Sequence, residues 1–497
     1  MHRHTFSAAV TVALVFLWAS PLFGQNVDTT GYNVLFISVD DLNDWVGCFG
    51  GNPQAKTPNL DKFSAGGGMV MYDAHGAATV CNPSRSSLLL GAHCYKTGVY
   101  SNAHDLKKAP GAKDLITLPQ FFSKHGYHTI SRGKMFHGHK IKGKPGYDWG
   151  QEFFDEWIKP PRSIWPPKGA VPLSGVPYAP KGHKRDRAFD WGGVGDNDTT
   201  KTMDYQTAAW ASEQLNARDF DGKPFFMAIG IYRPHLPWYV PQKYFDMYPL
   251  EEVKLPETLA NDRDDIIQDN GKPIYFEDSW WKRMEKHKAH RQAVRAYLAS
   301  ITFADECVGV LLDGLAKSKY AANTIVMIWG DHGWHLGEKQ KYSKTLLWQE
   351  SCRVPLMVKV PGVTPTNKRC HGVVSLIDMY PTLVQLCGLP ANPKNDGRSF
   401  AKLLHSPDMT WNEPILTTHN RGNHRIYDGR YSYITYNGGE ELYDHRDDPM
   451  EWTNLARNPE YAAIKERLKA RVPRTNSPEA PSNGGPGKGK KKTRSVR

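Results

Sequence analysis

Four runs of residues with strand-like character each lead into side chains that could bind a metal ion or move a proton. The runs span 32–39, 128–131, 224–230 and 323–329, and the three longer ones have the nearly continuous apolar pattern of parallel strands buried on both faces. Open α/β sheets bind ligands where the carboxyl ends of such strands meet. One aspartate after a strand is often only a helix cap, and one histidine is often structural. The repetition on four strands nevertheless predicts one shared pocket, to which the runs deliver, in chain order, Asp40 and Asp41, Lys134 and His137, His235, and Asp331 and His332.

A cysteine at a predicted helix start is the candidate reactive residue. Cys81 lies two residues before Pro83, which suits the first turn of a helix, and Gly91 would end that helix. Free backbone N–H groups at a helix N-terminus favour an anion, and Arg85 adds a positive charge one turn inside. A buried structural cysteine beside a capped helix would have the same local pattern, so this spacing leaves both interpretations open.

The remaining pattern indicates an α/β catalytic domain followed by a smaller unit. Amphipathic stretches alternate with the strands, which predicts a doubly wound α/β core over residues 25–404. After about residue 404, short alternating runs bounded by Gly or Asn indicate an antiparallel sheet in a small α+β domain over residues 405–475. The predicted helices span 115–125, 203–217, 291–315 and 461–471, and a long surface excursion spans 159–198.

Composition excludes several classes of protein. The chain has 497 residues, 40% of them hydrophobic and 23% charged, which is too apolar for a disordered scaffold. The net charge of +12 suggests a polyanion partner, but half of it lies in a Gly-, Ser- and Pro-rich tail, and no nucleic-acid-binding motif accompanies it. We therefore expect no nucleic-acid partner and a disordered basic tail over residues 476–497.

The N-terminus and the cysteines indicate export. Arg3 precedes an apolar run over residues 8–18 and small residues after it, which is typical of a signal peptide over residues 1–24. The run is too short to cross a bilayer, although an uncleaved anchor is the alternative. We expect a periplasmic or secreted protein with no stable membrane insertion after cleavage. Seven cysteines would permit up to three disulfides and leave at least one thiol unpaired.

The segment Cys81-Asn82-Pro83-Ser84-Arg85, with Gly91 downstream, resembles the C-x-P-S-R signature of the type I, formylglycine-dependent sulfatases. Within that family the chain is most similar to the iduronate-2-sulfatase group, in segments 118–122, 133–137, 233–237, 331–338 and 341–343. The resemblance covers nearly the whole chain between the signal peptide and the tail. It implies an alkaline-phosphatase-like core, with a large mixed, mostly parallel sheet between helices, and a small C-terminal domain with an antiparallel sheet.

The resemblance also implies a modified residue and a metal ion. A maturation enzyme would oxidise Cys81 to formylglycine, and one Ca²⁺, rather than Mg²⁺, would be held largely by carboxylate oxygens. The implied metal ligands are Asp40, Asp41, residue 81, Asp331 and His332. The implied catalytic residues are Cys81 itself, Arg85, Lys134 and His137 around the hydrated aldehyde, and His235 and Lys341 at the sulfate and leaving group.

The implied reaction is hydrolysis of a sulfate monoester through a formylglycine-sulfate ester. One hydroxyl of the hydrated aldehyde would attack sulfur, and loss of the other hydroxyl proton would re-form the carbonyl and expel sulfate. The expected substrate is a sulfated oligosaccharide or polysaccharide carrying a 2-O-sulfated uronate or a related sugar. Two alternatives remain: a phosphate or phosphonate ester hydrolase of the same superfamily, and a secreted polyanion-binding protein that uses the basic tail.

Overall fold

The computed structural model describes residues 27–482, except for 141–146, 164–165, 167–170, 179–187, 269 and 412. The predicted signal peptide, part of the predicted surface excursion and residues 483–497 of the tail lie outside the described residues. The strands are β1 (Asn33–Val39), β2 (Met69–Met71), β3 (Ala74–His75), β4 (His128–Gly133), β5 (His139–Lys140), β6 (Tyr147–Asp148), β7 (Glu156–Ile158), β8 (Trp191–Gly193), β9 (Phe225–Ile231), β10 (Trp238–Val240), β11 (Thr324–Gly330), β12 (His335–Leu336), β13 (Tyr342–Ser343), β14 (Leu356–Lys359), β15 (Arg369–Cys370), β16 (Val374–Ser375), β17 (Ile415–Thr418), β18 (His424–Tyr427), β19 (Tyr431–Tyr436) and β20 (Gly439–Asp444). The α-helices are α1 (Pro58–Ala65), α2 (Cys81–Leu90), α3 (Cys94–Thr97), α4 (Leu118–Lys124), α5 (Met203–Ala217), α6 (Gln242–Asp246), α7 (Ser279–His287), α8 (His290–Lys317), α9 (Gln349–Cys352), α10 (Met379–Leu386), α11 (Ala401–His405) and α12 (Ala462–Lys469).

An eight-stranded sheet forms the centre of the molecule. Its strand order is β15-β2-β14-β11-β1-β9-β4-β7. The five strands from β11 to β7 run parallel to one another, whereas β14 pairs antiparallel with both β11 and β2. The predicted large, mixed and mostly parallel sheet is therefore confirmed.

Helices cover both faces of this sheet because its central strands are apolar on both sides. In β1, Leu35, Ile37 and Val39 pack into one core cluster with α5 and α8, whereas Val34 and Phe36 pack into the cluster on the other face with α2, α4 and α10. Alternate residues of a strand point to opposite faces, so a run without polar residues needs cover on both. The continuous apolar pattern of the sequence thus has its explanation in this layered core.

The C-terminal unit has the predicted antiparallel sheet. Strands β17 to β20 form a four-stranded sheet in sequential order, and α12 packs on it through Leu468, which belongs to one buried apolar cluster with Ile426, Tyr433 and Leu442. Its edge strand β17 reaches the catalytic part of the chain, where the Thr418 amide donates to the Ala77 carbonyl at 3.0 Å. This contact lies four residues before Cys81 and fixes the loop that leads to it.

One prediction for the tail is corrected by the structure. Residues 476–482 are not a free tail but lie along the loop after α3, where Ser477, Ala480 and Asp105 take part in backbone hydrogen bonds of 2.8 Å. Ala480 is buried in the core cluster that includes α2, α4 and α10. The prediction of disorder came from the charge and composition of the tail as a whole. Residues 476–482 contain none of its basic residues, so that argument did not apply to them.

Two further expectations can be compared with the described residues. All seven cysteines are free thiols, so none of the permitted disulfides is present. Within the part of the chain that the structure describes, no helix has both the length and the hydropathy that a bilayer span requires.

Candidate active site

The structure brings the polar ends of four strands together. Strands β11, β1, β9 and β4 are consecutive in the sheet, so the residues that follow them meet at one edge. The Asp40 amide donates to the Ile231 carbonyl at 3.0 Å, and the Asp41 amide donates to Asp331 Oδ1 at 3.1 Å. Asp41 has a left-handed backbone (φ 63°), which turns the chain directly after β1. Asp40 and Asp41 can therefore present their carboxylates side by side.

Cys81 is the first residue of α2, at the position that the sequence predicts. The helix ends at Leu90, and Gly91 caps it in the left-handed conformation (φ 64°). The side chain of Cys81 is fully buried, with its Sγ 3.3 Å from His332 Nε2 and 3.9 Å from Asp41 Oδ1. The thiol thus lies at a helix N-terminus, among the groups from the strand ends.

Arg85 ties two of the carboxylates to α2. Its Nε donates to Asp331 Oδ2 at 2.8 Å and its Nη2 donates to Asp40 Oδ1 at 3.1 Å, while Nη1 donates to backbone carbonyls of Lys134 and Met135. All of the guanidinium is buried. Arg85 therefore orients both the helix and the carboxylates, and it balances part of their charge.

Two lysines contact the thiol directly. Lys134 Nζ lies 3.5 Å from Cys81 Sγ and forms an ion pair with Asp40. Lys344 Nζ lies 3.1 Å from the same sulfur, 3.1 Å from His332 Nε2, and forms an ion pair with Asp41. Both ammonium groups therefore face the side-chain atom of residue 81.

These charges set the ionisation of the site. Burial alone would raise the pKa of the Cys81 thiol, but Lys134, Lys344 and His332, with a hydrogen bond to His137, hold that pKa well below its ordinary value. Burial raises the pKa of Asp40 to about 7 in spite of the opposing ammonium of Lys134. Cys81 is therefore in a strongly electropositive environment.

His235 marks the open side of the cluster. Its Nε2 lies 4.0 Å from Asp40 Oδ2 and 3.9 Å from Asp41 Oδ2, and a quarter of its side chain is exposed, whereas the two aspartates are buried. Its Nδ1 is 2.6 Å from the Leu236 carbonyl oxygen, which fixes the ring with Nε2 toward the carboxylates. A substrate that enters from solvent would meet His235 first.

Lys341 pairs with Asp278 instead of contacting Cys81, and its predicted role at the sulfate and leaving group stays a prediction. Its ammonium forms a 2.6 Å ion pair with Asp278 and lines a neighbouring cavity. The lysine at Cys81 is Lys344, which sequence reasoning missed. The two lysines flank the same pair Tyr342 and Ser343, and positive φ angles at Ser343 and Thr345 turn the chain so that Lys344 points inward. The sequence did contain a signal for this contact, because a second lysine, Lys344, directly follows Tyr342-Ser343.

The donor set fits a hard divalent cation. The structure has two groups of possible ligand atoms; within each group all atoms lie within 4.8 Å of one another, and both groups include the Cys81 sulfur. Asp41 Oδ2 is buried and has no hydrogen-bond partner, which is costly for a carboxylate oxygen unless a cation binds it. Carboxylate oxygens are the ligands that Ca²⁺ and Mg²⁺ prefer. The two groups comprise Asp40, Asp41, Cys81 and His235, and Cys81, Asp331 and His332.

Comparisons with known proteins agree with this geometry. The family model described as "Sulfatase" matches residues 32–389, and "N-sulphoglucosamine sulphohydrolase, C-terminal" matches residues 337–477. A "Sulfatase" of Formosa agariphila is 35% identical over 460 residues, covering 90% of this chain and 87% of the relative. Human "Iduronate 2-sulfatase" is 27% identical over 419 residues, covering 76% and 72%.

A solved structure shows the same fold at lower identity. The phosphonate monoester hydrolase of Agrobacterium radiobacter aligns with a TM-score of 0.67 at 20% identity, covering 88% of this chain and 94% of that one. The family models, the relatives and the predicted alkaline-phosphatase-like architecture therefore lead to one assignment. The chain belongs to the type I sulfatase family, and it is a sulfuric ester hydrolase.

Proposed function

We propose that this protein is an exported, formylglycine-dependent sulfatase that removes sulfate from a sulfated carbohydrate, with a 2-O-sulfated uronate as the first candidate. The observation that carries the proposal is the contact of Cys81 with two buried ammonium groups beside three carboxylates. The similarity to iduronate 2-sulfatase supports the choice of sugar. The apolar N-terminal run supports export.

The residues around Cys81 would have separate roles in ester hydrolysis. When converted, residue 81 would supply a hydrated aldehyde as nucleophile, and a Ca²⁺ held by Asp40, Asp41, Asp331 and His332 would neutralise sulfate charge. Lys134 and His137 would take and return the proton at residue 81. Arg85 would hold Asp40 and Asp331 in place for the cation.

The leaving group needs a proton from the open side of the site. His235 and Lys344 are the candidates, because His235 is the partly exposed member and Lys344 contacts both Asp41 and the reactive atom. General acid catalysis contributes about 10²–10⁴ in rate, so His235→Ala should lower kcat within that range while the chain still folds. A loss of less than about tenfold would remove His235 from this role.

Conversion and turnover test the proposal together. The enzyme is produced with a formylglycine-generating maturation enzyme, and mass spectrometry of the peptide containing residue 81 should show the aldehyde in place of the thiol. Cys81→Ala should abolish hydrolysis of nitrophenyl sulfate. Cys94→Ala is the matched control, because Cys94 is also buried but burial raises the pKa of its thiol to about 11.

The same assay separates the alternative activity. Matched nitrophenyl phosphate and a phosphonate monoester are tested beside the sulfate ester, since a phosphonate hydrolase shares the fold. A preference for the phosphorus esters, or full activity in Cys81→Ala, would overturn the proposed function. Removal of divalent ions by a chelator should lower sulfate-ester turnover, and Ca²⁺ should restore it more fully than Mg²⁺.

A further inference from the structure

The reactive cluster is the name we give to Cys81 and the charged side chains around it, namely Asp40, Asp41, Arg85, Lys134, His235, Asp331, His332 and Lys344. A cavity of about 480 Å³ adjoins this cluster. Its lining includes Val80, the neighbour of Cys81, and Thr345, the neighbour of Lys344, so it lies directly beside the nucleophile. Asn102, which also lines it, accepts a 2.9 Å hydrogen bond from the Asn82 amide in the first turn of α2. Ligand pockets commonly measure about 300–1,000 Å³, so a sugar bound at residue 81 could extend into this space.

The charges in this cavity leave one cation without an acidic partner. Lys341 is neutralised by Asp278 at 2.6 Å, and Glu277 forms an ion pair with Lys282 at the surface. Arg263 instead donates to two neutral oxygens, the Phe276 carbonyl at 3.4 Å and Gln340 Oε1 at 3.3 Å. Among the described residues no carboxylate lies within 4.0 Å of its guanidinium.

An exposed aromatic ring lies next to this guanidinium. Phe276 lines the cavity and is 93% exposed, by far the largest exposure among the large apolar side chains that the structure describes. A ring in water gains stability when an apolar face covers it, and the C–H face of a pyranose is such a surface. Asn420 and Asn437 line the same cavity and offer neutral hydrogen-bonding groups for hydroxyls.

We propose that this cavity binds a second acidic group of the sugar through Arg263, with Phe276 against the apolar face of the ring. The guanidinium presents a planar set of donors that matches the paired oxygens of a carboxylate or a sulfate. Arg263 thereby becomes a specificity-determining residue, which favours substrates that carry a negative charge besides the sulfate that is removed. The inference rests on the proposed function and names the chemistry of its substrate.

Two substrate pairs test the inference and separate the sources of the second charge. Glucuronic acid 2-sulfate is compared with glucose 2-sulfate for a carboxylate, and glucosamine 2-N,6-O-disulfate with glucosamine 6-sulfate for a second sulfate. Each sugar is measured as a substrate and as a competitive inhibitor of nitrophenyl sulfate turnover. The wild type should favour the doubly acidic member of at least one pair by about 10- to 100-fold, the range of a charged hydrogen bond.

Variants assign that preference to individual side chains. Arg263→Gln should lower the ratio within the preferred pair at least tenfold, and Arg263→Lys should keep part of it. Phe276→Ala should raise KM or Ki for both members of the pair equally. Arg446→Gln is the matched control, because Arg446 is a largely exposed arginine paired with Asp447 outside the cavity.

The outcomes are decisive even if one variant fails to fold. A wild type without preference in either pair overturns the inference, and so does a preference that survives in folded Arg263→Gln. If that variant does not fold, a partial or complete loss of the ratio in Arg263→Lys supports the inference, and full retention of the ratio overturns it. The proposed function fails separately, by activity in Cys81→Ala on nitrophenyl sulfate, which carries no second acidic group.

Discussion

Lys339 and Lys344 are both buried and lie five residues apart, yet they belong to two different regions. Lys344 reaches the reactive cluster, where it contacts Cys81 Sγ, Asp41 and His332. Lys339 reaches the junction with the C-terminal unit, where it donates to Asp262 at 2.7 Å and to the Glu451 carbonyl. Both regions bury a lysine beside a carboxylate. Only the first includes the Cys81 sulfur and an opening to solvent at His235.

The comparison teaches that a buried charge does not identify a catalytic residue. A buried ion pair is costly to break wherever it lies, because the remaining partner loses its compensation. What distinguishes the reactive cluster is that its cations converge on the atom at residue 81, whereas Lys339 joins the Asp262 carboxylate to the Glu451 carbonyl. Variants of the two lysines should therefore fail in different ways.

The largest effect is expected at Lys344. Lys344→Gln removes an ammonium group from the reacting atoms, so kcat for nitrophenyl sulfate should fall about 10²- to 10⁴-fold. Circular dichroism checks that the variant is folded, and mass spectrometry checks that residue 81 is converted. Lys341→Gln is the matched variant three residues away, and its loss on this small ester should be much smaller. Equal losses in the two variants would mean that Lys341 acts at residue 81 as strongly as Lys344 does. That result would contradict the contacts in the structure, where only Lys344 of the two lies against Cys81.

The next effect is on stability and is expected at Lys339. Lys339→Gln leaves Asp262 buried without its cation, which should lower the free energy of unfolding by about 3–5 kcal/mol. Urea unfolding followed by circular dichroism measures the loss. Turnover per converted, folded molecule should remain close to that of the wild type at low temperature. A collapse of kcat without a loss of stability would show that the two regions are not separate in function.

A pH dependence distinguishes the junction further. Burial would raise the pKa of Glu451, but the hydrogen bond and charge of His445, with Arg425 and Lys339, lower it to about 2. Because the folded-state pKa lies below the ordinary 4.5, the stabilisation by ionised Glu451 is present above about pH 4.5 and is lost as the pH falls toward 2.

Unfolding of wild type and Glu451→Gln at several pH values measures this contribution. The difference between their unfolding free energies should be about 3 kcal/mol at pH 7, from the size of the shift, and should shrink steadily below pH 4.5. Glu413→Gln is the control, because Glu413 is half exposed and paired with Arg398 on the surface. A difference independent of pH would show that Glu451 acts only through its shape and neutral hydrogen bonds.

The sequence predicted most of the architecture because the central strands are apolar on both faces and polar where they end. The same pattern predicted which strand ends would meet, so Asp40, His235 and Asp331 could be grouped before the structure was known. The lysine register could not be predicted in this way. Lys344 points toward Cys81 because Ser343 and Thr345 on either side of it have left-handed backbone conformations. Neither Ser343 nor Thr345 is a glycine, so the sequence does not indicate these conformations.

The ordered end of the chain gives the smallest expected effect. Residues 476–482 contribute three backbone hydrogen bonds of 2.8 Å to the loop around α3, through the Ser477 and Ala480 amides and the Pro481 carbonyl. Each is worth about 1 kcal/mol net, and the conformational entropy lost on ordering the segment opposes this gain, so the segment adds little to the stability of the fold. Truncation after residue 475 should therefore lower Tm by only about 2 °C.

Truncation after residue 482 separates this segment from the basic residues that follow. It removes residues 483–497 and keeps all three hydrogen bonds, so Tm and turnover of nitrophenyl sulfate should both match those of the full chain. Thermal unfolding of the two truncated chains beside the full one makes the measurement. Equal losses after 475 and after 482 would mean that the basic residues, rather than the bonded segment, hold the end of the chain. Loss of turnover after 482 would favour a role of the basic tail in function, because this truncation leaves Cys81, Lys134 and Lys344 unchanged.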